Sequence, residues 1–172
     1  LIELCADWRA GFQLRTHRQQ VEASIRIKLK PRDREDRGEL TELSIDKAIE
    51  GASRLALAMW LTRRLTIRHS AKADNVQQGE AALDPTIILS DWTQDERKTL
   101  LERPLFGFAS YGRVRFHHRS VSEFLAAKRL HEMRNNGMSL RALKRLLFIE
   151  TKGNTIVLPS KRALAGWLAS FN

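Results

Sequence analysis

The sequence of 172 residues lacks the features that define several classes of protein. It has a single cysteine, Cys5, so no disulfide can form within the chain, and this favours a reducing, cytoplasmic location. No apolar run reaches the roughly 20 residues that a membrane-spanning helix requires, so we expect no membrane partner. The chain begins at Leu1 without a signal segment, and an apolar pattern continues nearly to Asn172. We therefore expect a segment of a longer intracellular protein.

Glycine is also scarce, and its placement excludes the common nucleotide-binding loops. None of the nine glycines belongs to a GxxxxGK[ST] or a GxGxxG pattern. Nucleotide hydrolysis requires such a phosphate cradle together with a metal-binding acid. We therefore expect no ATPase activity from this chain alone.

The other common catalytic and metal-binding patterns are missing too. There is no GxSxG turn, and the adjacent His117 and His118 would point to opposite faces of a strand. Cys5, His17 and His69 do not follow the ligand spacing of a zinc site. The sequence therefore predicts no catalytic residue, no metal ion and no cofactor held by this chain itself.

Positive charge is what the sequence has in excess. It contains 30 lysine and arginine residues against 20 acidic ones, for a net charge of +10. Arginine outnumbers lysine, and its forked guanidinium suits phosphates and carboxylates. This indicates an anionic partner: nucleic acid, nucleotide or an acidic protein face. The alternative of equal weight is a basic surface that an acidic neighbouring domain covers in the longer protein.

The apolar pattern is mainly helical. With 42% hydrophobic and 29% charged residues, the composition is that of a folded protein. We predict a mainly α fold with one or two short β-hairpins, arranged as a winged-helix-like unit plus a helical bundle. We place a helical domain at 1–82 and a winged-helix-like hairpin with its following helical region at 83–172. One continuous unit is the alternative.

Two helices are predicted in the first of these domains. The first spans Leu4–Lys30 and ends before Pro31, because proline disfavours a helical residue before it. The second spans Ile45–Ile67, with Ser44 as its N-cap and unbroken helical spacing of apolar residues. The polar stretch 69–82 has no periodicity and is predicted to be a loop.

The second domain begins with two cap signals. Asp84-Pro85 predicts a short helix that continues through Trp92. Thr93 and Glu96 have the spacing of a capping box for the next helix.

A change of period follows these helices. Between Leu105 and His118 the apolar residues alternate, which predicts a β-hairpin. Ser120 and Glu123 then predict a second capping box and a helix to about Arg134. The remaining predicted elements are a helix at Leu140–Phe148, a hairpin that pairs Ile149–Thr151 with Thr155–Leu158, and a last helix after Ser160.

His118 is the candidate functional residue. By strand alternation it falls on the same side as Val114 and Phe116, which is the apolar side. It also precedes the N-terminus of a predicted helix, where backbone N–H groups and the helix dipole favour an anion. A histidine there can contact a phosphate. The alternative, favoured about two to one by these features alone, is a buried histidine hydrogen-bonded to the backbone.

The same hairpin is basic. Arg113, Arg115 and Arg119 lie on it or directly after it. They are candidate contacts to an anion or to nucleic acid, whose phosphates attract arginine. The other arginines are spread along the chain rather than clustered in one recognition helix, which weighs against DNA binding.

The segment Phe116–Ala127 (FHHRSVSEFLAA) resembles the pattern F-x-H-x-S-x-x-E-[FY]-x-A-A of NACHT-type STAND NTPases, including bacterial NLR-like members. In that family the pattern joins a winged-helix region to the following helical domain. The flanking segments Leu100–Pro104, Tyr111–Phe116 and Pro159–Ala169 are similar as well. The resemblance is good from about Thr93 to Ala169 and weaker over 1–82. Ser122 departs from the pattern, because many members have glutamine there.

The resemblance implies a regulatory, non-catalytic segment of an ATPase. The family couples ATP binding and exchange to oligomerisation in defence and signalling pathways. Its ATP or ADP, with Mg²⁺, is bound by an upstream P-loop domain, which would be the main partner of this chain. The histidine of the pattern is similar to one that contacts the β-phosphate of ADP in the resting state. In this sequence that role falls on His118, with its neighbour His117 the weaker candidate.

Two other functions remain as alternatives. A winged helix with a basic hairpin is also typical of nucleic-acid-binding modules, whose binding falls steeply with salt. Paired helices without any switch are typical of a protein-interaction scaffold, whose complexes are insensitive to nucleotide. The sequence therefore leaves three functions open, with the regulatory segment favoured.

Overall fold

The computed structural model describes residues 16–30, 43–69 and 82–171. Its α-helices are α1 His17–Lys28, α2 Ile45–Thr62, α3 Pro85–Ile88, α4 Gln94–Leu101, α5 Arg119–Asn135, α6 Leu140–Leu147 and α7 Arg162–Ala169. Its strands are β1 Ile67–Arg68, β2 Phe106–Ala109, β3 Arg113–Phe116, β4 Phe148–Thr151 and β5 Asn154–Val157. This confirms a mainly α fold with two short hairpins. The predicted helix residues 4–15 and most of the predicted loop at 69–82 lie outside the described residues.

The winged-helix-like unit runs from α2 to β3. Its elements follow the order helix, strand, helix, helix, strand, strand. β3 is the central strand of an antiparallel sheet, with β1 on one side and β2 on the other. Ile67 lies opposite Val114, and Phe106 lies opposite Phe116. The short β1 therefore ties the end of α2 to the hairpin, and the fold class predicted from the sequence is correct.

Helix α2 begins where the sequence predicts and ends earlier. Ser44 Oγ accepts a hydrogen bond from the Lys47 N–H at 3.3 Å. The helix ends at Thr62 because Arg63 adopts a left-handed conformation, with φ of 55°. The predicted helix end at Ile67 is therefore wrong. Ile67 instead enters β1, where it is fully buried beside Val114.

Small residues let helix α2 approach its neighbours closely. Gly51 packs against Trp92, and a Cβ at position 51 would lie 2.5 Å from Trp92 Cη2, closer than atoms can approach. Ala52 and Ala56 of α2 are buried, as are Ala126 and Ala127 of α5, the helix packed against it. Burial of such surfaces supplies the main stabilising free energy of the fold.

One cluster of buried side chains includes both predicted domains. Leu55 of α2, Leu100 of α4 and Leu130 of α5 all belong to it. Strand pairing between β1 and β3 and packing between α2 and α5 both cross position 82.

Arg103 ties distant parts of this unit together. It is only 6% exposed. Its Nη1 donates to the Leu29 carbonyl at 2.9 Å, and its Nη2 donates to the Leu43 carbonyl at 3.3 Å. Burial lowers the pKa of its guanidinium below the ordinary value. Arg103 thus joins the end of α1 to the start of α2 from the turn that precedes β2.

The start signals of the short helices are present. Asp84 Oδ1 accepts a hydrogen bond from the Thr86 N–H at 2.9 Å, and Pro85 is the first residue of α3. α3 ends at Ile88, however, so the predicted extension through Trp92 is wrong. A turn replaces it, in which the Trp92 N–H donates to the Leu89 carbonyl.

The capping box at the start of α4 forms in full. The Glu96 N–H donates to Thr93 Oγ1 at 3.2 Å, and the Thr93 N–H donates to Glu96 Oε2 at 3.1 Å. Lys47 also donates to Glu96. These hydrogen bonds hold the pKa of the Glu96 carboxyl below its usual value. The bond from Lys47 has the larger effect, and the bond from the Thr93 N–H has the next largest.

Candidate functional site

The junction between β3 and α5 contains the candidate histidine. His118 is the N-cap residue of α5 and has an extended backbone, with φ of −128° and ψ of 132°. Its carbonyl accepts hydrogen bonds from the Val121 N–H at 3.2 Å and the Ser122 N–H at 3.4 Å. Its side chain is exposed and makes no capping bond. The first N–H groups of a helix have no acceptor inside the helix, so this end of α5 faces solvent uncapped.

The predicted burial of His118 is wrong. The alternation of inward and outward side chains ends with β3 at Phe116. Val114 and Phe116 are buried, whereas His118 lies beyond the strand and is exposed. This removes the alternative of a buried histidine that is hydrogen-bonded to the backbone.

His117 has a different environment from His118. Its N–H donates to the Leu105 carbonyl at 3.2 Å. Its ring lies over Gly107 of β2. The contact is so close that a Cβ at position 107 would lie 2.9 Å from His117 Cε1. The ring centroids of the two histidines are 6.4 Å apart. His117 therefore packs on the sheet, and His118 is the one presented at the helix end.

The capping box predicted at Ser120 and Glu123 does not form. α5 begins two residues earlier than that pattern requires, at Arg119, so Ser120 lies in the first turn instead of at the cap. Glu123 Oε1 accepts a hydrogen bond from Arg119 Nε at 2.8 Å. This pair spans one helical turn, as oppositely charged residues four apart do. Glu123 thus engages a side chain and leaves the helix N-terminus free of a carboxylate.

The predicted anion contacts differ in availability. Arg119 is paired with Glu123, although its side chain is 82% exposed. Arg115 is exposed and lies opposite Gly107 on the outer face of the sheet. Arg113 is half-buried on the same face, and its Nε is buried without a hydrogen-bond partner among the described residues. Of the three, Arg115 is the most accessible to an anion.

Helix α4 follows the short α3 after a turn, and in the order of elements of a winged helix it has the place of the recognition helix. Its first turn carries Asp95 and Glu96. Arg97 donates to the Leu89 carbonyl at 3.0 Å and also to the Trp92 carbonyl. The acidic first turn and the inward-bonded arginine make α4 a poor surface for DNA phosphates.

A second ion pair, which the sequence did not reveal, fixes the turn before α4. Arg54 of α2 donates two hydrogen bonds to the Asp91 carboxylate, at 2.7 Å and 2.9 Å. It also donates to the Ile88 carbonyl at 2.7 Å. The Asp91 hydrogen bonds raise the pKa of Arg54 and lower the pKa of Asp91. The sequence gives no specific signal for this pair, because Arg54 is one of several charged residues on α2 and Asp91 is distant along the chain.

Neither a metal centre nor a membrane span occurs in the described part of the chain. Among residues 16–30, 43–69 and 82–171, no three histidine, cysteine, aspartate or glutamate side chains are grouped as around a metal ion. No described helix combines the length and apolar character needed to cross a bilayer. Comparison of the chain with protein families, with characterised proteins and with solved structures finds no match.

Proposed function

We propose that this chain is the regulatory, non-catalytic winged-helix and helical segment of a NACHT-type STAND ATPase. In the intact cytoplasmic protein, a P-loop domain would bind ATP or ADP with Mg²⁺. The segment would pack against that domain in the ADP state and separate from it on activation. Separation would then permit homo-oligomerisation in a defence or signalling pathway.

The observation that carries this proposal is the placement of His118. The motif segment that resembles the family begins at the end of a hairpin and continues into α5. His118 lies at that boundary, exposed, with an uncapped helix N-terminus directly after it. Helix N-termini attract phosphate through their free N–H groups and the helix dipole. An imidazole beside such an end can donate a further hydrogen bond to a phosphate oxygen.

The rest of the unit explains how such a contact would act as a switch. β3 is held on both sides by β1 and β2, so the start of α5 has a fixed position relative to the sheet. α5 is in turn packed along α2 and α7. A phosphate contact at His118 would therefore bias the position of the whole segment, as expected of a two-state regulatory interface.

The direct test is ADP retention by the intact ATPase that contains this chain. His118→Ala should speed dissociation of a fluorescent ADP analogue by about tenfold or more, because a hydrogen bond to a charged group contributes roughly 1.5–3 kcal/mol. His117→Ala is the matched control and should leave the rate within about twofold, since its ring packs on Gly107. Equal rates for the wild type and the His118 variant would refute the proposed contact.

Nucleic-acid binding is the second candidate function, and the feature that favours it is the outer face of the sheet. Arg115 is exposed there, next to Arg113 and opposite the small Gly107. Titration with labelled duplex DNA at low and high salt separates the candidates. Salt-dependent binding that Arg115→Ala weakens would favour DNA, because each phosphate contact adds to the salt dependence. Absence of binding at low salt would exclude it.

A further inference from the structure

A second surface lies far along the chain from His118, where helix α6 meets the β4–β5 hairpin. A groove of about 1080 Å³ opens between them. Leu143 and Leu147 anchor α6 in the core, where they are 8% and 3% exposed. The first residue of α6, Leu140, and the charged residues of the helix line the groove instead.

Apolar side chains are left exposed along this groove. Leu140 at the start of α6 is 50% exposed, and Ile149 of β4 is 36% exposed. Ile156 lies directly opposite Ile149 in the ladder and is 45% exposed. Phe148 is half-buried and also lines the groove. Such a group of apolar residues on one open surface is typical of a protein-binding site.

The same groove has a basic border. Arg141, Lys144 and Arg145 of α6 line it and are exposed. Among the residues that the structure describes, the side chains of these three cations form no ion pair and no hydrogen bond. Glu150 is the one carboxylate that lines the groove within the same described part of the chain. Three unpaired cations against one carboxylate leave the groove strongly positive.

We propose that this groove binds an acidic protein segment that carries apolar side chains. Carboxylates of the segment would pair with Arg141, Lys144 and Arg145, and its apolar side chains would cover Leu140 and Ile149. Charge complementarity of this kind gives specificity and fast association. The exposed leucine and isoleucine favour a peptide over nucleic acid, because most protein contacts to nucleic acid go to charged phosphate and sugar, whereas an apolar peptide side chain buries aliphatic surface. The surface is independent of the nucleotide contact proposed for His118.

Binding can be measured by fluorescence anisotropy with the full 172-residue chain. The probe is a labelled synthetic peptide of about five helical turns, with leucine every three or four residues and glutamate between them. A peptide of the same pattern with lysine in place of glutamate is the charge control. We expect salt-sensitive binding of the glutamate peptide and none of the lysine peptide.

A double variant, Arg141→Glu with Lys144→Glu, should weaken this binding by about tenfold or more, because attraction becomes repulsion. The matched control is Lys98→Glu with Arg162→Glu, which changes the net charge equally at exposed residues outside the groove. It should change binding by less than about threefold, through long-range charge alone. Equal weakening by both pairs would overturn the proposal.

A third variant tests the apolar part without altering charge. Leu140→Ser should weaken the leucine-containing peptide several-fold and leave binding of polyglutamate unchanged. Circular dichroism of each variant verifies that the fold is retained. Duplex DNA and anionic phospholipid vesicles complete the set of probes. Tight binding of either one together with no binding of the glutamate peptide would overturn the proposal.

Discussion

The two β-hairpins are similar in length and opposite in their relation to the core. In the β2–β3 hairpin, Phe106, Val114 and Phe116 are buried. In the β4–β5 hairpin, no strand residue is fully buried, and the Ile149–Ile156 pair faces solvent. The first hairpin gains a third strand from β1, whereas the second remains a two-stranded ribbon.

This difference shows how one chain can use one hairpin to fix the position of a residue and the other hairpin to expose side chains to a partner. The first hairpin is buried on one face and thereby fixes the position of the exposed His118, which lies two residues after β3 ends. A two-stranded ribbon has little stability of its own, so the β4–β5 hairpin depends on α6 and on the half-buried Phe148. Its exposed side chains are then available to a partner. The predictions below test this division of roles.

The largest effect is expected from a matched pair of phenylalanines. Phe116→Ala in β3 should lower the free energy of unfolding by about 3–5 kcal/mol, because it removes a buried ring and leaves a cavity. The Phe116 ring packs against the Phe106 ring, with 4.7 Å between their centroids. Phe148→Ala in β4 should cost less than half of that, because the side chain is half-exposed. Urea unfolding followed by circular dichroism measures both. Equal losses would break the distinction between the hairpins.

A smaller effect is expected from the arginine that anchors the first hairpin. Arg103→Met should cost about 2–4 kcal/mol, because the Leu29 and Leu43 carbonyls lose their buried donor. Its carbonyl also accepts the Phe106 N–H at the start of β2. The control, Arg115→Met, should change stability by less than about 0.5 kcal/mol at its exposed position. Unfolding curves in which both variants cost the same would contradict the anchoring role.

The smallest expected loss of stability concerns the helix starts, of which α4 has a side-chain cap and α5 has none. Thr93→Ala should cost about 1 kcal/mol, because it removes the capping bond of α4. Ser120→Ala should cost under about 0.5 kcal/mol, since Ser120 lies inside the first turn of α5. Thermal unfolding of both variants measures the contrast. A larger loss from Ser120→Ala would show that the start of α5 is capped after all.

The fold was largely predictable because its signals are local. The Ser44, Asp84 and Thr93 caps each act within a few residues, and the alternation over 105–118 marks the first hairpin. The end of α2 was not predictable in this way. Ile67 continues the helical spacing, and only its pairing with Val114, distant along the chain, places it in a strand.

The position of the candidate site along the chain was predictable, but the burial of His118 and the partner of Glu123 were not. The sequence indicated His118 at a hairpin–helix boundary, but its burial depended on where β3 ends. The Ser120 and Glu123 spacing satisfied a capping box, yet Arg119 competes for Glu123 once the helix starts two residues earlier. Arg103 gave no signal beyond a cation among leucines, because its carbonyl partners are distant along the chain.

Hydrogen–deuterium exchange on the proposed intact ATPase tests the central claim most directly, by comparing the ADP-bound and nucleotide-free states. The account predicts slower exchange at Arg119 and Ser120 when ADP is bound, because the phosphate would accept the first N–H groups of α5, which precede those bonded to the His118 carbonyl. Exchange over 148–157, in the second hairpin, should be the same in both states. Unchanged exchange at Arg119 and Ser120, with ADP demonstrably bound, would contradict the account.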